Sequence, residues 1–256
     1  MKLPVSLAVI VFLTLATTAT AQQGRDLFAD PKNLKVLPKN IASEDLSQTM
    51  RGFTRALGVR CSTCHVGEED MSIFDYDFES DDKPMKQKAR LMLEMVNTIN
   101  AELVPTLDEV EKASRIEVRC VTCHRGRPQP KLIEDVLDEK LAGDGLDAAV
   151  EEYATLREQY HGTHSFDFSE NSMPAYAESL ANRGELDAAL SFAKIGADYF
   201  PESYRAHVML GDLYSASEQQ DSALKSYERA AELNPRAAAF LAPKIDALKS
   251  IRVTPD

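Results

Sequence analysis

The sequence predicts a mostly α-helical chain in two halves. Helix–loop units that each end in Cys-x-x-Cys-His come first, and an α-solenoid of about three helical repeats follows. Three observations predict it. Apolar residues recur every three or four positions in both halves. All four cysteines fall in two Cys-x-x-Cys-His motifs in the first half. The second half repeats itself with a period of 34 residues.

The N-terminus reads as a secretory leader. Lys2 precedes an apolar run, Leu7 to Leu15, and small residues follow to Ala19-Thr20-Ala21. Cleavage there makes residues 1–21 a signal peptide and starts the mature chain at Gln22, exported across a bacterial inner membrane. The run is shorter than the roughly 20 residues of a membrane span, and no other run compares with it. The alternative is a retained N-terminal anchor. No cysteine lies near the cleavage site to carry a lipid.

Formal charge is −12, and −13 once Lys2 leaves with the leader. That acidity argues against nucleic acid and anionic membrane surfaces, and for basic partners.

Residues 22–40 read as an extended lead-in broken by Pro31 and Pro38. A helix is expected from Ser43, a candidate N-cap followed by Glu44 and Asp45. Leu46, Met50, Phe53 and Leu57 make its apolar face, and Gly58 stops it. Residues 66–83 hold eight acids, among them Asp75 and Asp77, and read as a solvated loop with a short extended piece. Docking of a basic partner and binding of Ca²⁺ are the functional alternatives for that loop. Pro84 suits a helix first turn. Ala89, Met92, Val96, Ile99 and Leu103 follow as the buried face, and Pro105 is expected to interrupt the helix. A shorter helix over about 107–114 then leads to the second motif. Arg125-Gly-Arg-Pro-Gln-Pro130 is a helix-free exit, which places a domain boundary at 130/131.

The segment 204–237 carries Leu210, Gly211, Tyr214, Ala223, Tyr227, Ala230 and Pro235. These spacings match a tetratricopeptide-like helix-turn-helix. Moving back 34 positions gives Tyr176, Ala177, Leu180, Ala189, Ala193, Gly196 and Pro201. A weaker copy spans about 130–162, and an insertion within 161–169 separates it from the next. Residues 238–250 read as a capping helix. Three stacked copies with a cap bury what one copy cannot.

Cys61-Ser-Thr-Cys64-His65 and Cys120-Val-Thr-Cys123-His124 carry the attachment signature of c-type haem. Two thiols hold the macrocycle as thioethers and the adjacent imidazole ligates iron. Zinc sites and disulfides also use Cys-x-x-Cys, but neither asks for histidine directly after both pairs. Two haem c groups are therefore expected, with His65 and His124 as iron ligands. For the sixth ligands, His207 falls within a repeat helix, and His161 and His164 sit in the insertion. Methionine is left: Met50 for the first site, and Met92 or Met95 for the second, between which helical spacing does not choose. Arg125 and Arg127 are expected either to pair with a haem propionate or to be surface charges.

Residues 31–130 resemble part of the tetrahaem cytochrome subunit of photosynthetic reaction centres, and its smaller relatives in non-photosynthetic bacteria. The matching text is Asn33-Leu-Lys-Val-Leu-Pro38, Leu46-Ser-Gln-Thr-Met50, Ala89-Arg-Leu-Met92-Leu-Glu-Met95 with Ile99-Asn100, and Cys120-Val-Thr-Cys-His-Arg-Gly126. The resemblance implies a multihaem cytochrome c domain over 22–130. It also implies Met50 as sixth ligand of the first haem and Met92, rather than Met95, of the second. Two motifs stand where that subunit has four, and helical repeats replace its second haem pair. Docking to a photosynthetic reaction centre is therefore not implied.

The leading expectation is an exported dihaem electron-transfer protein, periplasmic or at the cell surface, whose 131–256 repeat domain holds a redox partner. A homo-oligomer whose haems form a conductive chain is a second expectation. A dihaem peroxidase-type oxidoreductase is a third.

Overall fold

The computed structural model describes residues 26–111 and 116–251. The expected leader, 1–21, lies outside them. The described chain is mostly α-helical, with a single isolated antiparallel bridge, Val66 to Asp77, among its described residues. No helix among the described residues is long and apolar enough to cross a membrane.

Helix α1 spans Ser43–Leu57, as the periodicity predicts. Leu46 is buried, and Met50, Phe53 and Leu57 are partly buried. The helix entry differs from expectation: the Ser43 hydroxyl donates to Asp26 Oδ2 at 2.6 Å. Gly58 ends α1 at φ +64°, a conformation open mainly to glycine.

Helix α2 spans Pro84–Thr98 and α3 spans Val104–Glu111, joined by a π-helical turn over Ile99–Leu103. The expected break at Pro105 does not occur. The π turn precedes the proline and re-registers the backbone where a plain α-helix would clash. The α2 face also differs. Lys86 and Val104 are buried, whereas Met92 and Leu103 face outward. Helix α4 is the short turn Cys120–His124.

Seven helices follow: α5 Ile133–Asp144, α6 Leu146–Tyr160, α7 Ser172–Asn182, α8 Leu186–Tyr199, α9 Tyr204–Ala216, α10 Gln220–Leu233 and α11 Pro235–Ile251. They pair as α5/α6, α7/α8 and α9/α10, with α11 against α10. The 34-residue period is visible in the core. Ala177, Leu180, Ala189 and Ala193 are buried in one hairpin, and Leu210, Ala223, Tyr227 and Ala230 in the next. Gly211 permits close helix approach, since a Cβ there would come within 2.5 Å of the Tyr227 ring. Tyrosines close the stack with half-buried polar ties: Tyr176 donates to Asp138 at 2.7 Å and Tyr227 to Asp212 at 2.6 Å.

The chain forms two compact units. Among the described residues, one holds 26–51 with Cys61–Glu94, and the other Gly52–Arg60 with 95–111 and 116–251.

Candidate haem sites

The first site lies in the first unit. A 3-10 turn, Cys61–Thr63, folds the motif on itself, and the N–H groups of Cys64 and His65 both donate to the Cys61 carbonyl. The His65 ring meets Phe78 edge-on, with centroids 4.8 Å apart. Phe78 is held there by the segment the sequence reads as solvated. Tyr76 packs where a Gly67 Cβ would intrude and donates to the Glu68 carbonyl at 2.8 Å. Lys86 is only 8% exposed, and its ammonium donates to the carbonyls of Phe78 at 2.8 Å and Ser80 at 2.6 Å. Asp81 accepts from Lys35 at 2.5 Å, Arg90 at 2.8 Å and Asn33 at 2.9 Å. These cations, Lys35 foremost, hold its carboxyl below the usual range.

The acids are thus partly structural. Asp77 accepts from the Glu79 and Ser80 N–H groups, which closes a turn. Among the described residues no three His, Cys, Asp or Glu side chains cluster so as to hold a metal ion.

Burial, with Lys86 and Arg90 adding repulsion, pushes the His65 imidazole down to about 4. It is neutral at pH 7, the form that ligates iron. Its Nδ1 is buried without a hydrogen-bond partner. Such an orphan costs about 1–3 kcal/mol and marks a ring whose surroundings are not completed by polypeptide alone. Met50 sits on α1 in the same unit, partly buried.

The second motif, Cys120–His124, lies in the second unit with Met95, whereas Met92 falls in the first. The Asn100 side chain grips Val118 from both sides, donating to its carbonyl at 2.7 Å and accepting its N–H at 2.8 Å. Thr122 Oγ1 accepts the Arg119 N–H at 3.0 Å, which caps α4. Arg125 leaves α4 at φ 50°. The Gly126 N–H then donates to the Ala56 carbonyl at 2.9 Å. A Cβ on Gly58 would lie 2.2 Å from the Gly126 oxygen, so the end of α1 and the exit of the motif meet backbone to backbone.

His124 Nδ1 lies 3.0 Å from the Arg127 carbonyl oxygen. A carbonyl only accepts, so Nδ1 carries the proton and Nε2 keeps its lone pair for iron. The insertion covers this exit. Ser165 donates to the Arg125 carbonyl at 2.8 Å, and the Arg127 guanidinium sits 3.8 Å over the buried Phe166 ring. Arg127 is therefore tied to Phe166 and to the Lys131 carbonyl rather than standing as a free surface charge. Arg125 borders an open cleft of about 700 Å³ with Arg55, Val121, Thr122 and His164. His161 packs beside Phe168, and His207 is tied to the Pro201 carbonyl at 2.9 Å.

No two of the four cysteines are joined as a disulfide. Burial raises the Cys64 and Cys120 thiols, so neither is an activated thiolate. The donor chemistry fits covalently attached haem: paired thiols, an imidazole directly after each pair, and outward-facing Leu91, Met92 and Met95 suited to contact with an apolar macrocycle. The sequence missed Lys86, Asp81, Phe78, Ser165 and Phe166, none of which belongs to a motif.

A family model described as the photosynthetic reaction centre cytochrome C subunit matches residues 12–144. Cytochrome c-554 of Chloroflexus aurantiacus is 30% identical to this chain over 122 residues, which are 45% of this chain and 27% of that protein. The chain thus matches little more than a quarter of the length of that curated relative.

Proposed function

The chain belongs to the photosynthetic reaction centre cytochrome c subunit family, and from that membership we propose an exported electron carrier with two haem groups, one on each Cys-x-x-Cys-His motif. The family makes it a c-type cytochrome with covalently bound haem c. The single observation that carries the two-site reading is that each Cys-x-x-Cys-His motif folds as its own tight helical turn, Cys61–Thr63 running on to His65 and Cys120–His124, which sets a thiol pair beside a histidine twice.

In this reading Cys61 and Cys64 hold the first haem, with His65 and Met50 as iron ligands. Cys120 and Cys123 hold the second, with His124 and Met92. Bound haem would supply a one-electron couple, and a histidine and a methionine on each iron would raise its potential over two histidines and leave no free position for a small substrate, which favours electron transfer over turnover.

The partner we propose is a basic redox protein docking on residues 68–75. Met71, Ile73 and Phe74 are exposed there, rimmed by Glu68, Asp70 and Asp75. An apolar centre with an acidic rim suits a short-lived, electrostatically steered encounter. The helical hairpins supply a second, more lasting protein contact, and the mature chain is placed in the periplasm or at the cell surface.

Absorption and spin-resonance spectra of the oxidised full chain test this reading. Two low-spin haems per chain and no rapid reaction with peroxide are expected. A high-spin component that reacts with peroxide would support the oxidoreductase alternative.

A further inference from the structure

The insertion between the first and second helical hairpins does more than connect them. Phe166 and Phe168 are buried. Phe168 packs 5.9 Å from Tyr153, and Phe166 packs edge-on at 5.4 Å to Tyr160, both tyrosines on α6. The insertion is thereby anchored in the hairpin core. Its other side carries Arg127, whose guanidinium is stacked on Phe166 and donates to the Lys131 carbonyl at 3.0 Å. Arg127 in turn closes on His124 twice: its N–H donates to the His124 carbonyl at 2.9 Å, and its carbonyl accepts from Nδ1 at 3.0 Å.

We propose that Phe166 is a positioning residue for the second haem, fixing Arg127 and, through its carbonyl, the hydrogen bond that sets the electron-donating strength of His124. The inference rests on the two-haem reading. Its physical content is a sign. A firm Nδ1–H···O=C bond makes the imidazole a stronger donor, which stabilises ferric iron and lowers the potential. Loosening Arg127 weakens that bond, so the potential of the second haem rises. The hairpin domain thereby tunes a haem that it does not itself attach.

The test is a spectroelectrochemical titration of the full holoprotein. The second haem is identified as the wave lost when Cys120 and Cys123 are both changed to Ala. Phe166→Ala should raise the ferrous-to-ferric ratio of that wave, at fixed potential, by roughly threefold or more. Phe166→Tyr, which keeps the ring, should restore it. Arg127→Lys keeps the charge but loses the planar stack, and should shift the same wave upward. It also serves if Phe166→Ala does not fold. The first wave should not move in any variant. An unmoved second wave in a folded Phe166→Ala or Arg127→Lys protein would overturn the proposal, as would equal shifts of both waves. A wild-type protein with a single wave would instead overturn the two-haem reading beneath it.

Discussion

His124 Nδ1 donates to the carbonyl of Arg127, three residues on, at 3.0 Å, and this bond is the point where haem chemistry meets the helical hairpins. The first motif solves the same problem differently. His65 has no carbonyl partner at Nδ1 and is held by the edge of Phe78. One imidazole is fixed by a backbone acceptor and the other by an aromatic wall. Each device hangs on a cation: Arg127 stacked on Phe166, and Lys86 on the carbonyls around Phe78.

The Lys86 anchor predicts the effect of removing it. Lys86→Met keeps roughly the length of the side chain and loses its donors, leaving the Phe78 and Ser80 carbonyls without their ammonium partner while the Glu79 carbonyl keeps Asn33. Each unmet buried acceptor costs about 1–3 kcal/mol. A lower unfolding temperature and faster proteolysis within residues 66–83 are expected, and limited proteolysis reads the second directly.

Asp81 predicts a pH dependence. Its folded pKa lies below the ordinary 3.8, first through the Lys35 hydrogen bond and then through Arg90 and Lys86. The unfolded chain therefore binds the proton more readily. Stability from this group is present above the unfolded pKa and lost as pH falls through the folded one. Asp81→Asn should unfold at lower temperature than wild type at pH 7, with the gap closing below about pH 4. A gap that stays constant across that range would assign the effect to shape rather than charge.

Gly58 tests the backbone contact beneath the second motif. Gly58→Ala forces a left-handed conformation on alanine and drives its Cβ against the Gly126 carbonyl. A loss of about 2 kcal/mol or more is expected, measured by denaturant unfolding. Gly52→Ala is the control, since nothing lies within 4 Å of a Cβ there. It should be neutral or stabilising.

The methionines separate the two sites. Met50→Ala should turn the first haem high-spin and leave the second unchanged, and Met92→Ala should do the reverse. Met95→Ala should leave both low-spin. Magnetic circular dichroism reads each iron ligand set. An effect of Met95→Ala in place of Met92→Ala would reassign the second sixth ligand.

Much of this was legible in the sequence. Local spacing gives α1 its limits, the 34-residue period gives the hairpins, and the two motifs give the attachment chemistry. What stayed hidden depends on contacts distant in the chain. Seven of the eight acids in 66–83 are exposed, as a solvated loop predicts, but composition does not reveal that Lys35 and Arg90 meet at Asp81 or that Lys86 holds the Phe78 carbonyl. The insertion read as a linker because Phe166 and Ser165 gain meaning only against Arg127 and Arg125, about forty residues earlier. Pro105 read as a break because a π turn, which relieves the clash, has no sequence signature.

The central claim is that each motif holds a haem with both axial positions filled. A potentiometric titration of the purified full chain, followed by absorption, tests it most directly. The account predicts two one-electron waves of equal amplitude, each with a low-spin c-type spectrum, from covalently bound haem. A single wave, a high-spin fraction in the wild-type protein, or haem that extracts into acidic organic solvent would contradict it.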